Sequence, residues 1–311
     1  MQQMHLFKEK IAGWDDWGRV YQSIPAFRRL AEHILTKEGL PLAELELLAP
    51  GTNAVFRAGG CVVKIFAPPE SGNDQTGSMR TERLAMKHAN AQGICAPKVL
   101  AHGVADDKYR FAYLVMEFVE GTMMLDSVME RMTDEAKMNF GGALRAVTNK
   151  INGAAIGANE REELSRFDVL NDEDPWGLWG KLPQSFQEER RAYLKAHDFG
   201  KFVLVHGDLN GDNILVTPRG NLMVLDFADA VMAPVEYEHA LIAATFGYDK
   251  AFLRGFFEND TEQLVERCFH GTLLHEFGGA IVADRLGDPA EFTSLERLRA
   301  RITAVIEEAL I

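Results

Sequence analysis

Cysteine, long apolar runs and net positive charge are all scarce in this 311-residue sequence. The three cysteines, Cys61, Cys95 and Cys268, are widely spaced and form no CxxC pair, which argues against a disulfide framework and against a zinc site. No apolar run approaches the length of a membrane span. The segment Met1–Lys10 is polar and charged, without the apolar centre of a secretion signal, so we expect a cytoplasmic protein with no membrane partner.

The charge balance is acidic, because 46 Asp and Glu side chains outnumber 33 Lys and Arg side chains and give a net charge of −13. Such a surface repels phosphate backbones, so we expect no nucleic-acid partner. The same field attracts a cationic small molecule, although acidic proteins also use such charge simply to remain soluble. A length of 311 residues exceeds one ordinary core and predicts two domains.

The pattern of apolar residues changes near residue 120. The first forty residues are predicted to be helical, and turn signals then separate short strands. The predicted strands before residue 120 are Glu44–Leu48, Ala54–Ala58, Cys61–Phe66, Lys98–Gly103 and Phe111–Val119. A helix over Met79–Ala91, capped by Ser78, is predicted between the third and fourth strands. This part is predicted to be an N-terminal lobe, residues 1–119.

Residues 120–311 are predicted to form a second, mainly helical lobe. Thr133 precedes apolar residues spaced three or four apart and is predicted to cap a helix, and another helical stripe ends the chain. The strands predicted here are Phe202–Val205, Ile214–Val216 and Met223–Leu225. A sheet-rich part followed by a helix-rich part predicts an α+β protein of two lobes.

The most informative pattern surrounds these last strands. His206-Gly207-Asp208 is followed by Asn213 on the same predicted loop, and Asp226 ends the next strand. Phosphoryl transfer needs one carboxylate beside the attacking hydroxyl, and it needs oxygen ligands that hold Mg²⁺ against the phosphates. A single Asp beside a strand is usually only a turn residue. The joint pattern favours a phosphotransfer site.

A second pair of charged residues lies in the N-terminal part. Lys64 interrupts an otherwise apolar strand, and Glu82 lies on the apolar face of the following helix. An interior lysine must find a charged partner or emerge into a cleft, and a carboxylate on an apolar face needs a cation. The alternative is an edge-strand lysine and a solvated glutamate.

These motifs resemble the kinase-like superfamily, and most closely its aminoglycoside phosphotransferase and choline kinase branch, where H-G-D-L-x-x-x-N precedes a strand and I-D-F/W. The resemblance implies the two-lobed protein-kinase-like fold, with a small antiparallel sheet lobe carrying one helix and a larger helical lobe. It also implies that Asp208 is the catalytic base, that Asn213 and Asp226 bind Mg²⁺, and that His206 ties the loop together.

The resemblance further assigns a nucleotide site for ATP, with GTP as an alternative. It implies that Lys64 binds the α- and β-phosphates and pairs with Glu82. The turn after the first strand, with Gly51, Thr52 and Asn53, is expected to contact phosphate. Met116, Glu117 and Val119 are expected to lie beside the adenine.

A small-molecule acceptor is expected rather than a protein. Protein kinases carry an arginine at the position of Gly207 and a lysine at that of Asn210, and little room remains after Asp226 for an activation segment. The segment Pro234–Leu241 resembles the P-x-x-x-D-L-A helix start of the small-molecule branch, with Glu238 in place of Asp. The alternatives are a kinase-like nucleotide-binding module without turnover and a protein kinase.

The acceptor itself is expected to be aminoglycoside-like, choline-like, or a sugar or amino alcohol. Acidic residues of the last helices are candidates for binding a cationic acceptor, although each is equally at home on a solvated helix face. These candidates are Asp260, Glu262, Glu266 and Glu276. Trp176 and Trp179 are candidates for stacking on a ligand, or else they anchor the packing.

Overall fold

The computed structural model describes residues 5–49, 51–165, 169–170, 174, 177–258 and 261–310. The chain divides into two compact units. Unit 1 comprises Met1–Asn90 and Ala96–Glu120, and unit 2 comprises Ala91–Cys95 and Gly121–Ile311. Among the described residues, no helix combines the length and the apolar character that crossing a membrane requires.

Unit 1 is built around one antiparallel sheet. Its strands are β1 (Leu45–Leu47), β2 (Ala54–Ala58), β3 (Cys61–Ile65), β4 (Val99–Asp106) and β5 (Arg110–Glu117). Its helices are α1 (Trp14–Val20), α2 (Ile24–Lys37) and α3 (Thr76–Ala91). The strand order is β1-β2-β3-β5-β4, and every neighbouring pair is antiparallel. All five predicted strands exist, and the predicted bounds of β2 are the observed ones.

Two predicted helices of unit 1 have different bounds in the structure. The first forty residues contain two helices rather than one continuous helical stretch, because Ser23 caps a new helix and Pro25 suits only its first turn. The helix predicted to start at Met79 begins at Thr76 instead, where the Asp74 side chain accepts the Thr76 N–H at 2.9 Å. Ser78 is therefore inside the helix and is not its cap.

The core of unit 1 lies between the sheet and the N-terminal helices. It is rich in buried aromatic rings, of which Phe7, Trp17, Phe27, Phe56 and Phe111 are at most 1% exposed. The Phe7 and Phe27 ring centroids are 4.9 Å apart. The N-terminal segment is thus an integral layer of this unit, since its apolar side chains form one half of the core.

Unit 2 is mainly helical. Its strands are β6 (Thr122–Met123), β7 (Val203–Val205), β8 (Ile214–Val216), β9 (Leu222–Val224) and β10 (Val231–Ala233). Its helices are α4 (Asp126–Met129), α5 (Asp134–Asn152), α6 (Ala158–Leu164), α7 (Gln184–Ala196), α8 (Val235–Thr245), α9 (Lys250–Phe257), α10 (Thr261–Leu274), α11 (Gly278–Ile281) and α12 (Leu295–Leu310). As predicted, Thr133 caps α5, because its hydroxyl accepts the Ala136 N–H at 3.2 Å.

The strands of unit 2 form two small antiparallel sheets, β6-β8-β9 and β10-β7. The loop between β7 and β8 therefore leaves one sheet and enters the other. Around these sheets α5 packs on α9 and α10 packs on α8. A Cβ atom at Gly255 would lie 1.9 Å from the Met138 carbonyl oxygen, so the close approach of α9 to α5 requires glycine there.

Candidate active site

Lys64 and Glu82 form a buried ion pair in unit 1. Lys64 lies on β3, a central strand of the sheet, and the two side chains are only 5% and 1% exposed. The Lys64 Nζ atom is 2.8 Å from the Glu82 Oε2 atom. The reading of an edge-strand lysine with a solvated glutamate does not fit this position. A buried charge is tolerated when it is paired in this way.

The turn between β1 and β2 contains the three residues expected to contact phosphate. Gly51 and Thr52 are exposed, whereas Asn53 is buried. The Asn53 Oδ1 atom accepts the Ala67 N–H at 3.2 Å. The Asn53 side chain thus anchors the turn to the unit, whereas Gly51 and Thr52 remain exposed. Pro50 lies outside the described residues.

The end of β5 carries the residues expected beside the adenine. Met116 is buried and pairs with Val62 across the ladder. The Glu117 N–H donates to the Lys98 carbonyl at 3.0 Å, and its carboxylate accepts the Lys98 N–H at 3.1 Å. This N–H is therefore not available to a nucleotide base, and of the Glu117 backbone only the carbonyl remains for that contact. Val119 follows the strand.

In unit 2 the loop between β7 and β8 holds Asp208 by both carboxylate oxygens. The Asn210 Nδ2 atom donates to Asp208 Oδ1 at 2.9 Å, and the Asn213 Nδ2 atom donates to Asp208 Oδ2 at 3.1 Å. The Asn213 amide also donates to the Asp208 carbonyl at 2.7 Å. The Leu225 N–H donates to the Asn213 carbonyl at 2.9 Å, which brings the strand leading to Asp226 beside this loop.

His206 joins the two segments of this site. Its Nδ1 atom accepts the Asp208 N–H at 3.2 Å, so the neutral ring presents Nε2–H to the Leu225 carbonyl, 2.8 Å away. The ring is fully buried and lies against Phe227, with 4.6 Å between the ring centroids. These contacts are the loop-tying hydrogen bonds expected from the sequence.

Glu238 anchors the same loop from α8, a role that the sequence pattern did not reveal. Its carboxylate accepts backbone N–H groups of the loop: those of His206, Gly207 and Leu209. Burial raises the pKa of Glu238 to about 7, although the three N–H donors act in the opposite direction. The signal available in the sequence was the resemblance of Pro234–Leu241 to an acidic helix start.

The backbone of Gly207 excludes any side chain. Its φ is +85°, and a Cβ atom there would lie 2.0 Å from the Asp229 carbonyl oxygen. An arginine, as found at this position in protein kinases, does not fit this loop conformation. Glycine in place of the protein-kinase arginine at position 207 is thus a structural requirement of this loop.

Electrostatics in this site favour a bound cation. Burial raises the pKa of Asp208 to about 8, and the nearby carboxylates of Asp229 and Asp226 contribute to the rise. The hydrogen bonds from Asn210 and Asn213 lower the pKa of Asp208, but by less than burial and the two carboxylates raise it. A divalent cation would stabilise the ionised carboxylates that this arrangement brings together.

The residues fit Mg²⁺ with two protein ligands. Within the described parts of the chain, no group of three or more His, Cys, Asp and Glu residues is positioned to hold a metal ion. Asp226 offers a carboxylate, and Asn213, whose Nδ2 is committed to Asp208, offers its amide oxygen. Mg²⁺ is commonly held by one or two protein oxygens, and phosphate oxygens and water complete its coordination.

A cavity of about 530 Å³ in unit 2 adjoins this loop. The loop contributes Asn210, Gly211 and Asp212 to its wall. The other lining residues are Leu125, Asp126, Ser127, Leu241, Ala244, Thr245, Phe277, Ala280, Ile281, Asp284 and Arg285. Its wall is therefore acidic at Asp126, Asp212 and Asp284, and it is apolar on the side of α8 and α11. The Arg285 Nη2 atom lies 3.5 Å from the Asp126 Oδ2 atom.

Two of the acidic residues selected from the sequence, Glu266 and Glu276, are described and do not line this cavity. Glu266 contacts Arg299. Asp260 lies outside the described residues, and Glu262 is described only by its backbone. Trp179 is an anchor of the packing, since it is 2% exposed and lies 3.9 Å from the Arg190 guanidinium. Trp176 lies outside the described residues.

The sequence profile of the phosphotransferase enzyme family matches residues 45–270, more than two thirds of the chain. The chain belongs to this family. No protein with a curated description matches it. The family match agrees with the resemblance inferred from the motifs around Asp208, and it also includes β1 to β5 and most of α10.

Solved structures show the same kinase-like fold. One is the GDP and kanamycin complex of the aminoglycoside phosphotransferase APH(2″)-IIIa, with 18% identity, a TM-score of 0.56 and coverage of 91% of this chain and 96% of that one. Another is the amicoumacin kinase hAmiN with AMP-PNP, Ca²⁺ and amicoumacin, with 16% identity, a TM-score of 0.56 and coverage of 89% and 92%. A choline/ethanolamine kinase family protein from Mesorhizobium loti has 18% identity, a TM-score of 0.50 and coverage of 85% and 88%.

Proposed function

We propose that this phosphotransferase moves the γ-phosphoryl group of ATP to a hydroxyl of a small molecule in a Mg²⁺-dependent reaction. The observation that supports this most is Asp208, fixed by two amides in a loop that also forms the wall of a cavity of small-molecule size. GTP is the alternative donor, since the aminoglycoside phosphotransferase structure contains GDP.

In this proposal Asp208 accepts a hydrogen bond from the acceptor hydroxyl and takes its proton as the oxygen attacks the γ-phosphorus. The bond between the γ-phosphorus and the β,γ-bridging oxygen breaks, and the nucleoside diphosphate leaves. Asn213 and Asp226 hold Mg²⁺, which neutralises phosphate charge when it is bound. Asn210 and Asn213 keep the Asp208 carboxylate oriented, which lowers the barrier by positioning.

The nucleotide is assigned to residues of unit 1. Lys64 binds the α- and β-phosphates and is held by Glu82. The exposed turn at Gly51 and Thr52 contributes backbone N–H groups to phosphate. We assign the Glu117 carbonyl and the Val119 N–H to the edge of the base, with Met116 packed beside it. In this division residues 1–119 serve the nucleotide and residues 120–311 serve catalysis and the acceptor.

The acceptor is proposed to be a cationic hydroxyl compound with an apolar part. Asp126, Asp212 and Asp284 supply negative charge to the cavity wall, whereas Leu241 and Phe277 supply apolar surface. Amines are the natural partners of such carboxylates at pH 7. Kanamycin and amicoumacin, which are bound in two structures of similar fold, are the first compounds to try.

The experiment is a nucleotide-consumption assay with purified protein and a panel of aminoglycosides, amicoumacin, choline, ethanolamine, homoserine, sugars and macrolides. We expect turnover with an amine-bearing acceptor and its loss in Asp208→Asn, by a factor of about 10³. The matched variant Asp284→Asn should raise the KM of that acceptor and leave the KM of ATP unchanged. Turnover that persists in Asp208→Asn would show that Asp208 is not the base.

A further inference from the structure

The N-terminal segment, residues 5–40, reaches the turn assigned to phosphate binding. The indole Nε1–H of Trp17, on α1, donates to the Thr52 carbonyl at 2.8 Å. Trp17 is 1% exposed, and its ring lies edge-on against Phe27 with 5.8 Å between the centroids. Trp17 is therefore a fixed donor, since its aromatic surroundings hold the ring in place.

The segment is itself fastened to unit 1 at a distant point of the same sheet. Asp107, in the β4–β5 turn, accepts the N–H groups of Leu6 at 2.9 Å and Phe7 at 2.8 Å. The Ile11 N–H donates to the Tyr109 hydroxyl at 2.8 Å. These contacts tie the residues before α1 to the β4–β5 hairpin and so help to set the position of Trp17 relative to the sheet.

The turn is thus held from two sides. Trp17 fixes the carbonyl of Thr52, and the Asn53 side chain fixes the next residue to Ala67. The Thr52 side chain stays exposed. A turn whose backbone is fixed before a ligand arrives loses less conformational entropy when it binds.

We propose that the N-terminal segment is a clamp that presets the nucleotide turn, with Trp17 as the positioning residue. This inference rests on the proposed function, because it assumes that the turn contacts the nucleotide. The competing view is that Trp17 only fills the core, in which case its N–H is irrelevant to nucleotide affinity.

The test compares Trp17→Phe with two control variants. Trp17→Phe keeps an aromatic ring and removes the N–H donor. Trp14→Phe changes an exposed tryptophan of the same helix, and Phe111→Leu loosens the same core without touching the hydrogen bond to Thr52. We expect calorimetry to show Mg-ATP binding to Trp17→Phe that is about three- to ten-fold weaker than in the parent protein. Binding to the two controls should change by less than two-fold.

Two further readouts separate positioning from general stability. At saturating ATP the kcat of Trp17→Phe and its KM for the acceptor should match those of the parent protein, while its KM for ATP rises. Hydrogen exchange of the amides in the β1–β2 turn should accelerate in Trp17→Phe and not in Phe111→Leu.

The outcomes are distinct. A parent protein that binds neither Mg-ATP nor Mg-GTP contradicts the proposed function itself. A parent protein that binds, together with a Trp17→Phe variant of unchanged affinity and unchanged exchange, overturns the clamp alone. Equal weakening in Trp17→Phe and Phe111→Leu at equal loss of thermal stability also overturns it, because the effect would then come from the core.

Discussion

Unit 1 and unit 2 place buried charge differently. In unit 1 the Lys64 ammonium and the Glu82 carboxylate lie 2.8 Å apart and are both buried, so opposite charges compensate each other. In unit 2 the carboxyl group of Asp208 lies near those of Asp226 and Asp229, and its pKa is raised to about 8 by burial and by these neighbours. The site in unit 1 thus pairs unlike charges, whereas the site around Asp208 gathers like charges.

This difference indicates what each unit needs from a ligand. The buried Lys64 and Glu82 side chains compensate each other's charge, so breaking the pair should damage folding as well as function. The carboxyl groups of Asp208, Asp226 and Asp229 repel one another, so removing one of them should damage function more than stability. Sites that bind or react commonly sacrifice stability in this way.

The largest expected effect belongs to unit 2. Asp226→Asn should lower phosphoryl transfer by about 10³-fold, because it removes a proposed Mg²⁺ ligand. The same change should leave the thermal midpoint of the metal-free protein equal or higher, since one repelling carboxylate is lost. Activity assays over a range of Mg²⁺ concentration, together with calorimetric melting, check both parts. A strongly destabilised Asp226→Asn variant would contradict the view that the clustered carboxyl groups of unit 2 do not stabilise the fold.

The next effect belongs to the ion pair of unit 1. Lys64→Met should reduce the free energy of unfolding by about 3–5 kcal/mol, because it leaves Glu82 buried without this ammonium. The double variant Lys64→Met/Glu82→Leu should recover much of that loss and remain inactive. Urea unfolding of the single and double variants measures the coupling. If the double variant is no more stable than Lys64→Met, the pair does not balance charge as described.

The smallest effect concerns Glu238, the acid that holds the loop between β7 and β8. Its pKa is about 7 in the folded protein, against the ordinary glutamate value of 4.5 expected for the unfolded chain, so the folded state binds its proton more strongly. The free energy of unfolding should therefore fall as pH rises from about 4.5 to about 7, by about 3 kcal/mol from this group.

Glu238→Gln should remove this dependence and keep an acceptor for the loop N–H groups. Urea unfolding of both proteins at pH 5 and pH 8 measures this contribution. The parent protein should be stabilised relative to Glu238→Gln more at pH 5 than at pH 8. A difference that stays constant between the two pH values would show that Glu238 is not a neutral acid in the folded protein. The parent protein and the variant share every other titrating group, so these cancel in the comparison.

Local sequence patterns predicted the first strands of unit 1 because glycine and proline turn signals separate them. Ala54–Ala58 was predicted with the observed bounds, and its buried and half-buried residues alternate in the structure. The strands Thr122–Met123 and Val231–Ala233 were missed because they are short and depend on pairing with distant strands, which no local pattern reveals. The start of α3 was missed because Asp74 and Ser78 are both capable of capping a helix.

The part of the candidate site whose residues lie close together in the sequence was predictable. Asp208, Asn213 and Asp226 fall within 20 positions, and the structure brings them together. The roles of Glu238 and Trp17 depend on contacts with segments 32 and 35 residues away, which no local pattern reveals. The cavity is assembled from segments between Leu125 and Arg285, so its acidic wall was not apparent from the sequence.

Phosphorus NMR of a reaction mixture tests the central claim most directly. With the protein, Mg-ATP and the acceptor identified from the panel, the γ-phosphate signal of ATP should be replaced by the signals of ADP and a phosphomonoester of the acceptor. The same mixture with Asp208→Asn should stay unchanged over the same time. Formation of ADP and inorganic phosphate alone, or an equal yield of phosphomonoester with Asp208→Asn, would contradict the account.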